Sequence, residues 1–538
     1  MRLFLRSIAT KPTLGCAILA LLANCFSLTA FAQEGAAPST AFEIVEYRVE
    51  GNSLLDDVLI EKALESYLGP GASINRVDAA RAALEASYHQ RGWLSVAVSI
   101  PEQRVDEGVV TLRVTEAVLD RVVVRGALFF APSAIKGLVP ELTEQRVPNF
   151  PQLQTELTAL GNSPDLRVTP ILRPGALPGT IDAVLDVDDN LPFHGTVEVN
   201  NRQAPNTSPT RLAASLRTEN LFQSRHTAGL FLQAAPEVRD QMHVVALNYG
   251  IPLRSRGESI GLSFVSSRSR LARLTGADGL GLLGNADIFG TRWNKPLPSG
   301  EGFAQSLVLG ADYRRLGQTI LVDGEPGVAS PVRYLPLSIA YTLNAFEGPW
   351  PLVFEASTSV GLRGVVGSDA AFNARRAGTS ANFQAVRFGL GGSHRIGGWE
   401  AAGRLDTQWS GAPLIGNEQF LVGGAQSVRG YLEGEAAGDE GQRLSLELRS
   451  PSQAIARGGS GAGAKWVALG FVEGAQVRTL GSGGAPPSER RLLGLGVGLR
   501  LTLSRGFALE ADAAQALRDA TLTRADDVRV HLRAVYSD

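Results

Sequence analysis

The stretch QSVRGYLEGE, residues 426–435, sets Val428, Arg429, Gly430 and Tyr431 side by side in a long polar, glycine-rich interval. An arginine on a solvated loop has no particular work to do. One taken out of water needs a partner, because an unpaired buried charge is costly. Other segments that look chemical fail on context. GLGLLG at 279–284 has the spacing of a dinucleotide-binding fingerprint, but no strand-helix-strand pattern surrounds it and it reads as strand. GGSGAGAK at 458–465 carries Ala464 where a phosphate loop requires glycine before Lys465, and it reads as a turn. The six histidines, at 89, 194, 226, 243, 394 and 531, show no metal-ligand spacing, and there is no G-x-S-x-G nucleophile elbow. No catalytic residue, metal or cofactor is expected.

The elements that must position such a loop follow from patterning. The chain opens with Arg2, Arg6 and Lys11 ahead of an apolar run that ends Ala30-Phe31-Ala32 before Gln33, which reads as a secretory signal peptide over 1–32 cleaved before Gln33. Cys16 and Cys25 both lie inside it, so neither a disulfide nor a thiolate metal site is expected in the mature chain. Losing those three cations takes the net charge from −2 to about −5, and no basic footprint for nucleic acid is present. Beyond the signal no apolar run reaches the roughly 18 residues of a helical span. A membrane protein of this composition must be a closed barrel, since only helices and barrels satisfy every backbone group in lipid.

Residues 42–116 read as strand, helix, helix, strand, strand. Ile44, Glu46 and Arg48 are expected on one strand face and Val45, Tyr47 and Val49 on the other, while Val77, Ala80, Leu84 and Tyr88 recur at helical spacing. Residues 117–190 repeat the order, from LDRVVVRGA to TIDAVLDVDDN. From 191 to 538 the texture changes to short alternating segments between glycine, proline, serine and asparagine. In Leu493 to Leu503 every second residue is apolar and the others are tiny or polar. Leu444, Leu446 and Leu448 alternate with Ser445, Glu447 and Arg449, and Val528, Val530, Leu532 and Ala534 with Arg529, His531 and Arg533. One face then meets lipid and the other a lumen, and roughly sixteen such segments are expected. A soluble sandwich also alternates, but the uninterrupted length behind a signal peptide favours the barrel.

Two α+β repeats of the polypeptide-transport-associated (POTRA) kind before a sixteen-stranded transmembrane β-barrel resemble the outer-membrane transporters of two-partner secretion, the haemolysin secretion/activation family. The likeness rests on RGWLSVAVSIPEQRVDEGVVTLRV in the first repeat, NNRQAPNTSPTRLAASLRTENLFQSRHTAGL at the barrel start, and Val428-Arg429-Gly430-Tyr431. The resemblance implies that the loop after the eleventh barrel strand folds back into the lumen and sets Arg429 against an acidic residue of a strand motif Phe-x-Asp-x-Gly. Here that motif matches Phe471, Glu473 and Ala475, with glutamate for aspartate and alanine for glycine. Gly430 would allow the tight turn, and Tyr431 would pack its ring on the wall with its hydroxyl hydrated.

The resemblance further implies a pore in the bacterial outer membrane with periplasmic N-terminal domains. Its partners would be a large β-helical exoprotein, outer-membrane lipid and periplasmic chaperones, with no nucleic acid. An assembly insertase of the same superfamily is the alternative, and a passive porin a third reading. The short interval between Gln33 and residue 42 leaves no room for an N-terminal plug helix.

Overall fold

The computed structural model describes residues 42–538 apart from 106, 162, 206, 239–240, 254–256, 270–272, 276–280, 284, 318–320, 323–324, 327–330, 456–463, 482–483 and 504–505. The expected signal peptide with Ala30, Ala32 and Gln33, and much of GLGLLG and GGSGAGAK, lie outside the described residues. The chain divides into two compact units, the first holding residues up to 118 with 147–151 and 177–180.

In the first unit, strand Glu46–Glu50 pairs in parallel with Val109–Glu116, which pairs antiparallel with Val96–Ser99. Helix Ile74–His89 buries Val77, Ala80, Leu84 and Tyr88, and the last three join a core with Val96, Val98, Leu112 and Val114. Burial pushes the Tyr88 phenol up to about 12, and its hydroxyl donates to Asn52 Oδ1 at 2.7 Å. The expected strand faces break at Val45. Ile44 turns inward onto Val77 and Val110 instead of sharing a face with Glu46 and Arg48, and Val45 is exposed. The reason is a pairing that period-2 reading missed: Phe42–Ile44 forms its own ladder with Gly69–Ala72, and the Val45 N–H goes to Gly108 O at 2.8 Å. Edge strand Val96–Ser99 is capped by the helix, since Val98 N–H donates to Glu85 Oε2 at 3.1 Å while His89 lies 3.0 Å from Val96 O.

The second unit begins with a sheet in which Thr180–Asp189 lies between Val118–Arg125 and Leu166–Pro174, the same first-third-second order. Helices Pro132–Leu138 and Phe150–Leu160 supply Ile135 and Leu153 to a core with Leu119 and Leu185. Buried Asp189 accepts three successive backbone N–H groups, from Leu128, Phe129 and Phe130, and so fixes the turn out of the first strand. This module is tied to the barrel. Gln223, in the hairpin turn between the second and third barrel strands, donates to Phe129 O at 3.0 Å and accepts from Ala131 N at 2.9 Å. His194 meets buried Asp165 at 2.9 Å.

Sixteen antiparallel strands, from Phe193–Asn200 to Val528–Ser537, form the closed barrel. First and last strands pair from Thr196 with Ser537 to Asn200 with Arg533. Asn201 continues this seam with its side chain, donating to Val530 O at 2.7 Å and accepting from Leu532 N at 2.8 Å. The alternation has the anticipated consequence: Leu444, Leu446, Leu448, Leu495, Val497, Leu499, Val528, Val530 and Leu532 all point outward and are exposed, while Glu447, Glu473, Asp512 and His531 line the interior. Val497 is 66 % exposed on that outer face. Val497→Arg should therefore destabilise the barrel by about 2–4 kcal/mol, the cost of a guanidinium near mid-membrane. Heat-modifiable gel mobility, scored against temperature in lipid vesicles, measures the shift.

Candidate functional site

The loop joining the eleventh strand, Trp399–Trp409, to the twelfth, Glu440–Arg449, spans 410–439, and residues 422–439 are buried almost throughout. A short hairpin, Phe420–Val422 with Ala436–Gly438, brings the two arms together and sends the tip into the lumen. The positive φ of +98° at Gly430 makes the reversal at the tip, where a Cβ would lie 3.0 Å from Ala516 N.

Arg429, 3 % exposed, is the one cation in the sequence of the loop 410–439. Its Nη2 and Nε donate to Glu473 Oε1 at 2.5 and 3.1 Å, and its own backbone N–H donates to Glu473 Oε2 at 2.7 Å. The two side chains do not form a parallel fork; one carboxylate oxygen takes the guanidinium and the other takes the main chain. Nη2 also reaches Glu447 Oε1 at 2.6 Å and Nη1 reaches Asp512 Oδ2 at 3.4 Å. The guanidinium carbon lies 3.4 Å from the centroid of the Phe471 ring, a cation–π contact on the strand that carries Glu473. Glu447 is shared with Arg449 at 2.7 Å and Asp512 with Arg500 at 2.6 Å, so three guanidiniums meet three carboxylates. These groups face a cavity of about 950 Å³. Fourteenth strand Ser488–Thr502 makes room: a Cβ at Gly494 would sit 2.2 Å from Arg429 O.

Val428 and Tyr431 pack with Ala475, Val477, Leu492 and Ala516 on the wall. The Tyr431 hydroxyl, expected to stay hydrated, instead meets backbone groups of the wall and the following loop. It lies 3.0 Å from Leu493 O and 2.9 Å from Arg518 O, and takes N–H groups from the same two residues at 3.3 and 3.2 Å, bridging a gap where the fourteenth and fifteenth strands part. Gly430 N–H points to His531 Nε2 at 3.2 Å.

Three further loop carboxylates hold the arms, and no motif announced them. Glu435 accepts from Thr523 N at 2.7 Å and Thr523 Oγ1 at 2.6 Å. Asp439 accepts both Nη atoms of Arg376, at 2.6 and 2.9 Å, with Leu414 N and Leu480 N. Burial alone would raise the Asp439 carboxyl, but the Arg376 pair and these N–H groups hold it below 3.8. Glu418 takes Arg314 and the Tyr334 hydroxyl, both at 2.5 Å. Beside it, helix Asp369–Arg375 from the loop after the ninth strand inserts Phe372 against Tyr334 and Phe383. Strand parity marks Glu447, Asp512 and His531 as inward; nothing in their spacing says that they meet Arg429 or Gly430. Among the described residues no cluster of side chains has the make-up of a metal site.

A loop pinned inside the barrel, with two α+β repeats before it in the chain, is the architecture on which the comparisons with known proteins bear. Residues 42–117 match the family model described as POTRA domain, ShlB-type, and residues 335–501 match haemolysin secretion/activation protein ShlB/FhaC/HecB. The outer membrane transporter CdiB of Dickeya dadantii is 21% identical over 419 residues, covering 77% of this chain and 73% of that protein. The structure of CdiB from Escherichia coli superposes with a TM-score of 0.63 at 17% identity, over 95% of this chain and 93% of the other. BamA from Haemophilus ducreyi lacking POTRA domains 1-3 shares the fold with a TM-score of 0.55 at 14% identity, over 92% of this chain and 100% of that one. These matches support a two-partner secretion transporter of the haemolysin secretion/activation type. It resides in the outer membrane with its N-terminal repeats in the periplasm.

Breaking a buried ion pair costs about 3–5 kcal/mol, far above the roughly 0–1 kcal/mol of an exposed one. Arg429→Ala and Glu473→Ala should each weaken loop docking by about 3–5 kcal/mol, and the double variant by clearly less than their sum. Protease cleavage within 410–439 and ion conductance in planar bilayers report the undocked fraction.

Glu433 supplies a pH test. Burial pushes its carboxyl above the ordinary 4.5, beyond what the Ala425 N–H and the charges of Arg202 and Arg211 offset. A raised folded value means that the protonated form is favoured on folding; its stabilisation is complete below 4.5 and is lost as pH rises through the folded value. Glu433→Gln should therefore match wild type in acid and exceed it in thermal stability at neutral pH. Melting curves between pH 4 and 8 are the measurement, and an unchanged difference across that range contradicts the assignment.

Proposed function

We propose that this transporter captures an unfolded exoprotein in the periplasm, releases the Arg429 lock, and lets the polypeptide pass through the barrel beside the retracted loop. The observation that carries this reading is the insertion of 422–439 into the lumen on charged groups that the barrel wall supplies. Val428, Arg429, Gly430 and Tyr431 act as the lock, with Phe471 and Glu473 as its receiving wall. The network favours exchange over permanent closure: when Arg429 withdraws, Arg449 stays on Glu447 and Arg500 on Asp512, so Glu473 alone loses its ion-pair partner in this cluster.

The energy for transport comes from the cargo, because the outer membrane holds no nucleotide supply. A large β-helical exoprotein suits this role, since folding on the far side draws the chain forward. In the periplasm, capture proceeds by strand addition, in which main-chain hydrogen bonds give affinity with little demand on sequence. With Val96–Ser99 capped by its own helix, the available edge in the first repeat is Glu46–Glu50, which pairs only with Val109–Glu116 in its sheet. Chaperones keep the cargo extended before capture, and lipid surrounds the apolar belt. The shared fold with BamA supports an insertase only at the level of architecture; the family-model matches to residues 42–117 and 335–501 support the secretion reading.

Deleting 42–116 should leave a barrel that retains heat-modifiable mobility but secretes no exoprotein, because the second repeat keeps its own core of Leu119, Ile135, Leu153 and Leu185. Immunoblots of medium and membrane fractions read both properties. Normal export by the deletion variant would refute capture by the first repeat.

A further inference from the structure

On the outer wall, behind the lock, the strand register sets Leu405, Leu444, Gly474 and Leu493 in one row across the eleventh to fourteenth strands. All four belong to the outward-facing set. The row above, toward the end of the barrel opposite the second repeat, reads Thr407, Gln442, Gln476 and Arg491. The wall thus changes from apolar to polar between adjacent rows, which marks the hydrocarbon–headgroup boundary of the outer leaflet. The missing side chain at Gly474 leaves a notch between Leu444 and Leu493. A Cβ there would meet Leu493 Cδ1 at 3.5 Å and Leu492 O at 3.8 Å, both ordinary contacts, so a side chain has room.

The notch is part of a groove of about 460 Å³, floored by Leu405, Leu444, Leu446 and Val472 and rimmed by Arg491 and Arg518. Arg491 already carries a carboxylate, Glu489 at 2.5 Å, on its half-exposed guanidinium, so a phosphate there would share the cation with Glu489; Asp519 accepts the Ala525 N–H at 2.8 Å. The Arg518 guanidinium is exposed and pairs with no carboxylate among the described residues. An apolar trough in contact with membrane, ending at two guanidiniums at headgroup depth, matches one chemistry: an acyl chain below and a phosphate above.

We propose that this groove binds a phosphorylated outer-leaflet glycolipid of the lipopolysaccharide type, with an acyl chain over Gly474 and a phosphate on Arg491 and Arg518. The site has a connection to the interior. Leu493 and Arg518, floor and rim of the groove, are the two residues whose backbone groups grip the Tyr431 hydroxyl from the other side of the wall. A lipid bridging them holds the fourteenth strand to the following loop and favours the docked state; this coupling rests on the lock reading, whereas the binding site does not.

The test uses the full-length protein in detergent and native mass spectrometry with three probes: a rough-type lipopolysaccharide, the same lipid dephosphorylated, and phosphatidylethanolamine. Wild type should retain one phosphorylated molecule at least about tenfold more tightly than the other two. Arg491→Ala/Arg518→Ala should abolish that preference. Gly474→Trp should weaken retention by a similar factor with every charge in place, and Arg524→Ala, an exposed arginine of the same loop outside the groove, should behave as wild type. Heat-modifiable mobility verifies folding of each variant. Equal retention by wild type and the double-arginine variant, or by phosphorylated and dephosphorylated lipid, would overturn the site and leave only annular lipid. In planar bilayers the phosphorylated lipid should lower wild-type conductance and leave Tyr431→Phe unaffected. Binding without that effect overturns the coupling alone, and an Arg429→Ala channel that stays as closed as wild type without lipid counts against the lock itself.

Discussion

One guanidinium inside a barrel sets the terms for the surrounding structure. Arg429 has left water, and three carboxylates on three different strands, with one aromatic ring, replace its hydration. A buried ion pair is not strongly stabilising in itself, because desolvating both partners offsets most of the attraction. Its effect is positional. The loop has one place where its charge is satisfied, and leaving that place strands Glu473. This is how a long, glycine-rich segment acquires a single docked conformation.

The barrel wall is fitted to this requirement in detail. Gly494 removes a side chain where the Arg429 carbonyl passes, and Ala475 stays small beneath Tyr431. The family pattern expects glycine at 475; this chain has alanine there and glycine one position earlier. Because successive strand residues face opposite sides, that single step moves the small residue from the lumen to the membrane. The interior keeps its packing with a methyl group, and the outer wall gains the notch at Gly474. Adjacent residues of one strand thus present a small packed side chain beside Tyr431 on the inner face and open space on the outer face.

The arms of the loop follow a different logic from its tip. Asp439, Glu435 and Glu418 gather backbone N–H groups and arginines near the barrel mouth, and Phe372 with Tyr334 and Phe383 makes an apolar plug beside them. The tip rests on shared ion pairs facing the cavity; the mouth rests on bidentate and backbone bonds around an apolar cluster. For the release proposed above, the tip is the cheaper part to move, since the wall carboxylates Glu447 and Asp512 keep Arg449 and Arg500 as partners.

Period-2 alternation made the barrel legible in the sequence, as did the helical spacing of Val77, Ala80, Leu84 and Tyr88, because both are local: each residue's face depends only on its own strand or helix. The same reading failed at Val45, where pairing with Gly69–Ala72 overrode the alternation of a single strand. Inward parity for Glu447, Asp512 and His531 was likewise available from their neighbours, and the VRGY tetrad drew notice through family resemblance. Which inward residues meet was not available. Arg429 and Glu473 are 44 positions apart, Arg429 and Asp512 are 83, and Gly430 and His531 are 101. Those meetings depend on sixteen strands closing in one register and on a loop turning back at Gly430. Closure and register are properties of the whole sheet, so the direction each side chain faces was decided by sequence, and its partner by tertiary structure alone.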